Sequence, residues 1–170
     1  TERLQMQKTN QIGVVIDELT ASQLAFDIIN NFNEELDKTK DDYVVFFENS
    51  TSSIVNPRFS TMAMNELWSF HGVLIATSVS SALSMIKAFS PAKKIFYVWD
   101  LEWTRRHGKS FEDNVEAFVN EEVLLVARSK SHAKAIENYC NKKVDHVVQN
   151  FNIENFKRII ENEQCVHKQA

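Results

Sequence analysis

The sequence predicts a doubly wound α/β fold with a six-stranded, mainly parallel, Rossmann-like sheet and helices on both faces. Six short apolar runs rich in Val, Ile and Phe recur along the chain, and amphipathic stretches with helical spacing separate them. Parallel strands are buried on both faces, so they read as continuous apolar runs, each followed by a covering helix. The alternation of the two patterns therefore specifies the fold class.

The predicted elements follow one another closely. The strands are 12–17, 43–48, 72–77, 94–100, 122–128 and 144–149, and the helices are 19–36, 60–70, 78–89, 111–120, 129–141 and 153–163. In the first helix Leu24, Ile28 and Phe32 recur at helical spacing. Thr20 and Gln23 have the spacing of a capping box, which predicts that the helix starts directly after the first strand.

The predicted sheet limits where a ligand can bind. In doubly wound sheets ligands lie beyond the carboxyl ends of the strands, where the strand order reverses. The common order 3-2-1-4-5-6 places strands 12–17 and 94–100 side by side at this reversal. Their carboxyl ends carry Asp17, Glu18 and the loop that begins at Asp100. We therefore expect these side chains to lie close together.

The size of the chain predicts one domain. Its 170 residues are 44% hydrophobic, which suits a single core over residues 12–162, with a polar N-terminal tail (1–11) and a C-terminal tail (163–170). No segment reaches the roughly 20 apolar residues of a membrane span, and the N-terminal stretch lacks the apolar region of a secretory signal. We expect a soluble, cytoplasmic protein.

Several functional classes are disfavoured. The first strand is not followed by the Gly-x-Gly-x-x-Gly turn of dinucleotide-binding domains, and no phosphate-binding Gly-Lys-Ser/Thr loop occurs. Phospho-receiver domains need Asp and Lys where the third and fifth strands here end in Thr77 and Arg128. His132 and His146 lack the spacing of zinc ligands, so we expect no metal site. A net charge of −4 predicts no general attraction to nucleic acid.

Two groups of charged residues remain as candidates. Asp17 and Glu18 are suited to orient a substrate hydroxyl or a metal, or are solvated charges near a helix N-terminus. In the loop DLEWTRRHGK, Arg105 and Arg106 are suited to hold a phosphate, or belong to a solvated surface loop.

The turn after the fifth strand adds a third candidate group. Arg128 and Ser129 precede a helix, where free main-chain N–H groups attract anions. Ser129 and Ser131 are alternative N-caps, and capping alone accounts for both serines.

The order of the motifs resembles a known family. GVLIATS (72–78), KIFYVWDLEW (94–103) and LLVARSKSHAKAIENYCNKKVDHVVQNFNIENF (124–156) resemble the N-terminal, acceptor-side domain of GT-B-type glycosyltransferases, particularly the glycosyltransferase-like proteins of large tailed bacteriophages. The similarity covers residues 12–157. No single motif is diagnostic, and the resemblance rests on their order and spacing. If the protein is phage-encoded, the resemblance implies that it is located in the cytoplasm of the host cell.

The resemblance implies roles for particular residues. Asp17 and Asp100 would be the catalytic carboxylates, Glu18 and Glu102 would orient hydroxyls, and Trp103 would stack on a sugar or base. Arg105, Arg106 and Arg128, with Ser129, would face phosphate.

The resemblance also implies a missing half. In GT-B enzymes a second domain holds the nucleotide-sugar donor, and 170 residues leave no room for it. Either the chain is a fragment or split half that a donor-binding partner completes, or it is a noncatalytic module that kept the fold and uses the exposed face for a partner or for self-association. The aromatic residues Trp68, Trp99, Trp103, Phe151 and Phe156 are either core residues or part of such an interface.

Overall fold

The computed structural model of the chain describes residues 10–51, 55–105 and 109–166, without the side chains of 109–113 and 163–166. The strands are β1 (Gln11–Leu19), β2 (Asp42–Ser50), β3 (Ser60–Ala63), β4 (Val73–Ala76), β5 (Lys93–Val98), β6 (Val123–Ala127) and β7 (His146–Val147). The helices are α1 (Gln23–Leu36), α2 (Val79–Lys87), α3 (Lys109–Val119), α4 (Lys130–Cys140) and α5 (Ile153–Val166), with short 3-10 turns at Met64–Ser69 and Glu102–Arg105.

The strands form one parallel sheet in the order β3-β2-β1-β4-β5-β6-β7. The predicted α/β class is confirmed, with seven strands where six were expected. The additional strand is β3, whose residues pair with β2 from Val44↔Ser60 to Phe47↔Ala63. The predicted helix at 60–70 is wrong there, because the free edge of β2 offers main-chain partners that local helix propensity does not outweigh.

The reversal of strand order lies between β1 and β4, since β1 pairs with β2 on one side and with β4 on the other. The prediction that strands 12–17 and 94–100 are neighbours is wrong. Because β3 is the outermost strand beside β2, the neighbour of β1 on its other side is β4. The predicted neighbour, strand 94–100, corresponds to β5 and is separated from β1 by β4.

Helices cover both faces of the sheet. Successive residues of β1 point to opposite faces, so Val14 and Ile16 pack on one side and Val15 on the other. The first face is covered by α1 and α5 through Ile28, Ile29, Phe32, Phe156 and Ile160. The second is covered by α2, α3 and α4 through Val79, Ala82, Met85, Ala117, Phe118 and Ile136.

The start of α1 differs from the prediction. Ser22, not Thr20, is the N-cap, because its Oγ accepts a hydrogen bond from the main-chain N–H of Ala25 at 3.2 Å. Thr20 instead accepts a hydrogen bond from the hydroxyl of Thr51 at 2.7 Å, beyond the end of β2. The helix therefore starts two residues later, and Thr20 stays in the loop. Across the described part of the chain, the helices lack the length and apolarity needed to cross a membrane.

Candidate functional site

The candidate site is built where β1 and β4 separate. The ladder between β1 and β2 continues to Leu19↔Ser50, but the ladder between β1 and β4 ends at Val15↔Ala76. At this point the hydroxyl of Thr77 donates a hydrogen bond to the main-chain oxygen of Val15 at 2.8 Å. The side chain thus replaces the next ladder bond, and the chain beyond it is free to open a crevice.

The start of α2 fixes one carboxylate in this crevice. Ser78 is the N-cap, and it forms a capping box with Ser81. The hydroxyl of Ser78 also donates a hydrogen bond to Oδ1 of Asp17 at 2.8 Å. Ser81 is fully buried, and its hydroxyl accepts hydrogen bonds from the main-chain N–H groups of Thr77 and Ser78 at 3.1 and 2.9 Å. Asp17 is therefore oriented by a network that is itself anchored in the core.

The loop after β5 brings a second set of charges to the same place. It reaches across the end of β4, where Oε1 of Glu102 accepts a hydrogen bond from the main-chain N–H of Val79 at 2.8 Å. A carboxylate is favoured there because the N-terminus of a helix carries a partial positive charge. Within the loop, Arg105 pairs with Asp100. The loop therefore delivers Asp100 and Glu102 to Asp17, although β4 lies between their strands.

These groups line a cavity of about 410 Å³. Asp17, Glu18, Asp100 and Glu102 contribute four carboxylates, and Arg105 contributes one guanidinium, so these five predicted residues carry a formal charge of −3. The apolar part of the wall is the ring of Trp99 with Ile16 and Leu24. Five uncharged polar residues that were not predicted as site residues also line the cavity: Thr20, Ser22, Gln23, Thr77 and Ser78.

Trp103 does not belong to this wall. Its ring stacks on Tyr139, with 4.2 Å between ring centroids and 5° between planes, and its edge meets Phe118. The expected stacking platform for a sugar is thus occupied within the protein. Trp99, not Trp103, is the tryptophan that lines the cavity, and the sequence alone could not decide between two indoles four positions apart.

The remaining predicted residues lie outside the cavity wall. Arg106 lies outside the described residues. Arg128 is partly buried, and its guanidinium carbon lies 4.8 Å from the ring centre of Trp99. Ser129 is the N-cap of α4, and its Oγ accepts a hydrogen bond from the main-chain N–H of His132 at 3.1 Å.

The chemistry of the cavity is set by its wall. Carboxylate oxygens accept hydrogen bonds strongly, the serine, threonine and glutamine side chains both donate and accept, and an indole offers an apolar surface. Such a set fits a ligand that carries several hydroxyl groups. In the described part of the chain, no group of three or more His, Cys, Asp or Glu side chains is arranged to hold a metal ion.

Comparisons of the chain with protein-family models, curated proteins and solved structures give no match. The resemblance to glycosyltransferases therefore stays a prediction, and the geometry of the cavity is the guide to its ligand.

Proposed function

We propose that the cavity binds the saccharide acceptor of a glycosyltransferase-like reaction, and that a second domain or a partner chain supplies the nucleotide-sugar donor. The observation that carries this proposal is the wall in which Asp17, Asp100 and Glu102 face the same space as the indole of Trp99. Sugars present hydroxyl groups along their edges and apolar C–H groups on their faces, and this wall complements both.

Charge supports the acceptor over the donor as the occupant. A nucleotide sugar carries a diphosphate, and the excess of three negative charges on the five predicted residues would repel it. A neutral saccharide experiences no such repulsion, and its hydroxyl groups donate hydrogen bonds to the carboxylates. In this proposal the diphosphate of the donor therefore lies outside the acidic cavity, on the second domain or partner chain.

Asp17 is the candidate general base. The hydroxyl of Ser78 holds Oδ1, which leaves Oδ2 to accept the proton of an acceptor hydroxyl. The oxygen of that hydroxyl attacks the anomeric carbon of the donor, while the bond to the nucleoside diphosphate breaks and its electron pair leaves with the phosphate oxygen. Asp100, the other predicted catalytic carboxylate, is paired with Arg105 and in this proposal orients the acceptor.

A binding measurement tests the proposal without the donor half. Glucose, galactose, mannose and N-acetylglucosamine are titrated into the ¹⁵N-labelled chain and followed by NMR. We expect at least one sugar to shift the amide signals of the cavity wall with saturation. Asp17→Asn should weaken its binding at least about tenfold, since a hydrogen bond to a charged group contributes about 1.5–3 kcal/mol.

The matched control is Glu66→Gln, an exposed carboxylate on the 3-10 turn before β4 that does not line the cavity. This substitution should leave the affinity unchanged. Equal affinities of Asp17→Asn and the unmodified chain would contradict the assignment of Asp17, and the absence of any saturable shift at the cavity would contradict the proposal.

A second candidate, a noncatalytic binding module, has one specific observation in its favour. Phe89 is 96% exposed and Trp68 is 52% exposed, and the hydroxyl of Ser90 donates a hydrogen bond to the main-chain oxygen of Trp68 at 2.7 Å. The hydrogen bond thus joins the segments that carry these two exposed side chains shortly before β4 and β5, and neither residue lines the cavity. Phe151 and Phe156, named with Trp68 as interface candidates, are buried in the core.

Light scattering as a function of concentration tests self-association of this module. We expect a dimer that Phe89→Ser disrupts, while Phe26→Ser, at a site that is 41% exposed on α1, leaves it intact. A monomer at every concentration would exclude self-association through these residues.

A further inference from the structure

Arg128 differs from the other arginines whose contacts the structure records. Arg58 makes two hydrogen bonds to the carboxylate of Asp37, at 2.9 and 2.7 Å, and Arg105 pairs with Asp100. Arg128 is partly buried, yet within the described residues neither a carboxylate nor any other hydrogen-bond acceptor contacts it. Its recorded partner is the ring of Trp99.

A cation in this position has unused binding capacity. A guanidinium over an indole is held by the negative electrostatic potential of the ring face, and this interaction consumes none of its five N–H donors. Partly buried charges in proteins are usually paired, because burial removes water that would otherwise solvate them. The contact with Trp99 also limits the rotamers of Arg128, so less entropy is lost when a ligand binds.

Arg128 is placed beside the cavity by the register of the sheet. Val98 pairs with Ala127, so Trp99 and Arg128 leave adjacent strands at the same level. Trp99 lines the cavity on one side and contacts Arg128. Arg128 therefore lies beside the acidic cavity and any ligand that fills it. The described carboxylates of the cavity do not pair with this arginine.

His132 lies in the same surroundings. Burial lowers the pKa of its imidazole, the positive charge of Arg128 lowers it further, and Asp100 opposes both effects. Its Nδ1 is buried without a hydrogen-bond partner among the described residues. The lowered pKa favours the neutral imidazole, so the positive charge that contacts Trp99 is that of Arg128.

We propose that Arg128 binds a phosphate group carried by the ligand whose saccharide part occupies the cavity. This inference rests on the proposed function for the identity of the saccharide part alone. The planar guanidinium donates two parallel hydrogen bonds to phosphate oxygens, an arrangement that the point charge of a lysine cannot reproduce. The ligand class is therefore a phosphorylated sugar, with a polar neutral part among carboxylates and an anionic part on Arg128.

The first experiment observes Arg128 directly. Inorganic phosphate is titrated into the ¹⁵N-labelled chain against sodium chloride at constant ionic strength, and the Nε–Hε signals of the arginines are recorded by NMR. The signal that is absent from Arg128→Lys identifies Arg128. We expect this signal to move with saturation in phosphate, and the signal of Arg105, assigned through Arg105→Gln, to move less. The absence of a saturable shift at Arg128 would overturn the inference.

The second experiment separates the two proposals. Each sugar named above is compared with its 1-phosphate, for the unmodified chain, Arg128→Gln, Arg128→Lys and the control Arg58→Gln, whose arginine pairs with Asp37 at the surface. We expect the phosphate to bind about tenfold more tightly than the neutral sugar, because of charge-assisted hydrogen bonds. Arg128→Gln should remove this advantage, Arg128→Lys should retain part of it, and Arg58→Gln should preserve it, because Arg58 does not line the cavity.

Each outcome discriminates. Equal binding of sugar and sugar phosphate overturns the inference and leaves the proposed function intact. A response of Arg128 to inorganic phosphate without binding of any sugar supports the anion site and overturns the saccharide cavity. If Arg128→Gln proves unfolded by circular dichroism, the Arg128→Lys comparison decides the question, since it retains the charge and loses the two parallel hydrogen bonds.

Discussion

Two groups of charged residues lie near opposite ends of the strands, and they differ in how far their positive and negative charges are paired. At the beginning of β2, Nζ of Lys157 lies 2.7 Å from Glu35 and 2.8 Å from Asp41, and these three side chains are only 14, 5 and 13% exposed. At the ends of the strands, Arg105 pairs with Asp100, but their side chains are 67 and 54% exposed, and the carboxylates of Asp17, Glu18 and Glu102 stand beside this pair.

The buried group behaves as a closed unit. Burial raises the pKa of Glu35, but hydrogen bonds from Lys157 and Lys38 outweigh burial, and the pKa stays below its ordinary value. For Lys157 burial lowers the pKa, and hydrogen bonds to Asp41, Glu35 and Tyr43 raise it above its ordinary value. The cluster thus ties α5 to α1 and to the start of β2, and each of its charges already has a partner.

This difference in charge pairing indicates which of the two groups is suited to bind a ligand. In the buried group each charge is matched, so the cost of desolvation is offset within the protein. At the C-terminal ends of the strands, Asp17 accepts a hydrogen bond from a serine hydroxyl and Asp100 pairs with one exposed arginine. The five predicted residues that line the open cavity there carry a formal charge of −3. An excess of charge of one sign around a cavity is available to a ligand. Substitutions in the buried group and in the cavity wall can test this contrast.

The largest expected effect is at the buried group. Lys157→Met should lower the free energy of unfolding by about 3 kcal/mol, because removal of one partner leaves two largely buried carboxylates uncompensated. Chemical denaturation in urea, monitored by circular dichroism, measures this loss. The control is Lys38→Met, since Lys38 contacts Glu35 from a position that is 55% exposed, and its loss should cost much less than the loss of Lys157. Equal losses of unfolding free energy in the two variants would show that solvent screens Lys157 as it screens a surface charge. The buried group would then not be a self-contained set of paired charges.

An intermediate effect distinguishes the two N-cap serines. Ser129→Ala removes a hydrogen bond to the first turn of α4 and should cost about 1 kcal/mol. Ser78→Ala removes the cap of α2 and also the hydrogen bond to Asp17, so it should cost about 2 kcal/mol. Urea denaturation of both variants measures the difference.

A double-mutant cycle locates the origin of that difference. Ser78→Ala is combined with Asp17→Glu, which displaces the carboxylate that accepts the hydrogen bond from Ser78. The second substitution should then add little to the first, because both remove the same interaction. Additive losses would mean that Asp17 and Ser78 are not coupled.

The sequence was sufficient for the fold class, because six of the seven strands overlap the predicted runs rich in apolar residues. It failed at β3, since Ser60–Ala63 is an exposed edge strand with no apolar run and is specified by its pairing with β2. This one omission displaced the neighbours of β1, and with them the expected contact between strands 12–17 and 94–100.

The site was predictable in part. Asp17 and Asp100 do line the same cavity, but for a reason that lies outside the sequence pattern: the loop after β5 crosses the end of β4 to reach α2. Ser78 carries a detectable signal, since a serine between a strand and a helix is an N-cap, and an N-cap at the reversal of the sheet faces the ligand crevice. Trp99 lines the cavity in place of Trp103 because Trp103 stacks on Tyr139. Tyr139 is 36 residues further along the chain, so local sequence patterns do not predict this contact.

The smallest expected effect is a dependence of the buried group on acid. Because the pKa of Glu35 in the fold lies below its ordinary value of 4.5, its contribution to stability is fully present above pH 4.5. This contribution is lost as the pH falls through the lowered pKa. The contribution of Lys157, whose pKa is raised above 10.5, is lost only as the pH rises through that raised value, so it does not change in acid. Glu35→Gln should therefore be less stable than the unmodified chain at pH 7, and the gap should narrow between pH 4.5 and pH 3. Urea denaturation of both proteins across this range measures the gap. A gap that stays constant down to pH 3 would mean that Lys157 and Lys38 do not preferentially stabilise the charged form of Glu35, and the contrast between the two groups would then rest on burial alone.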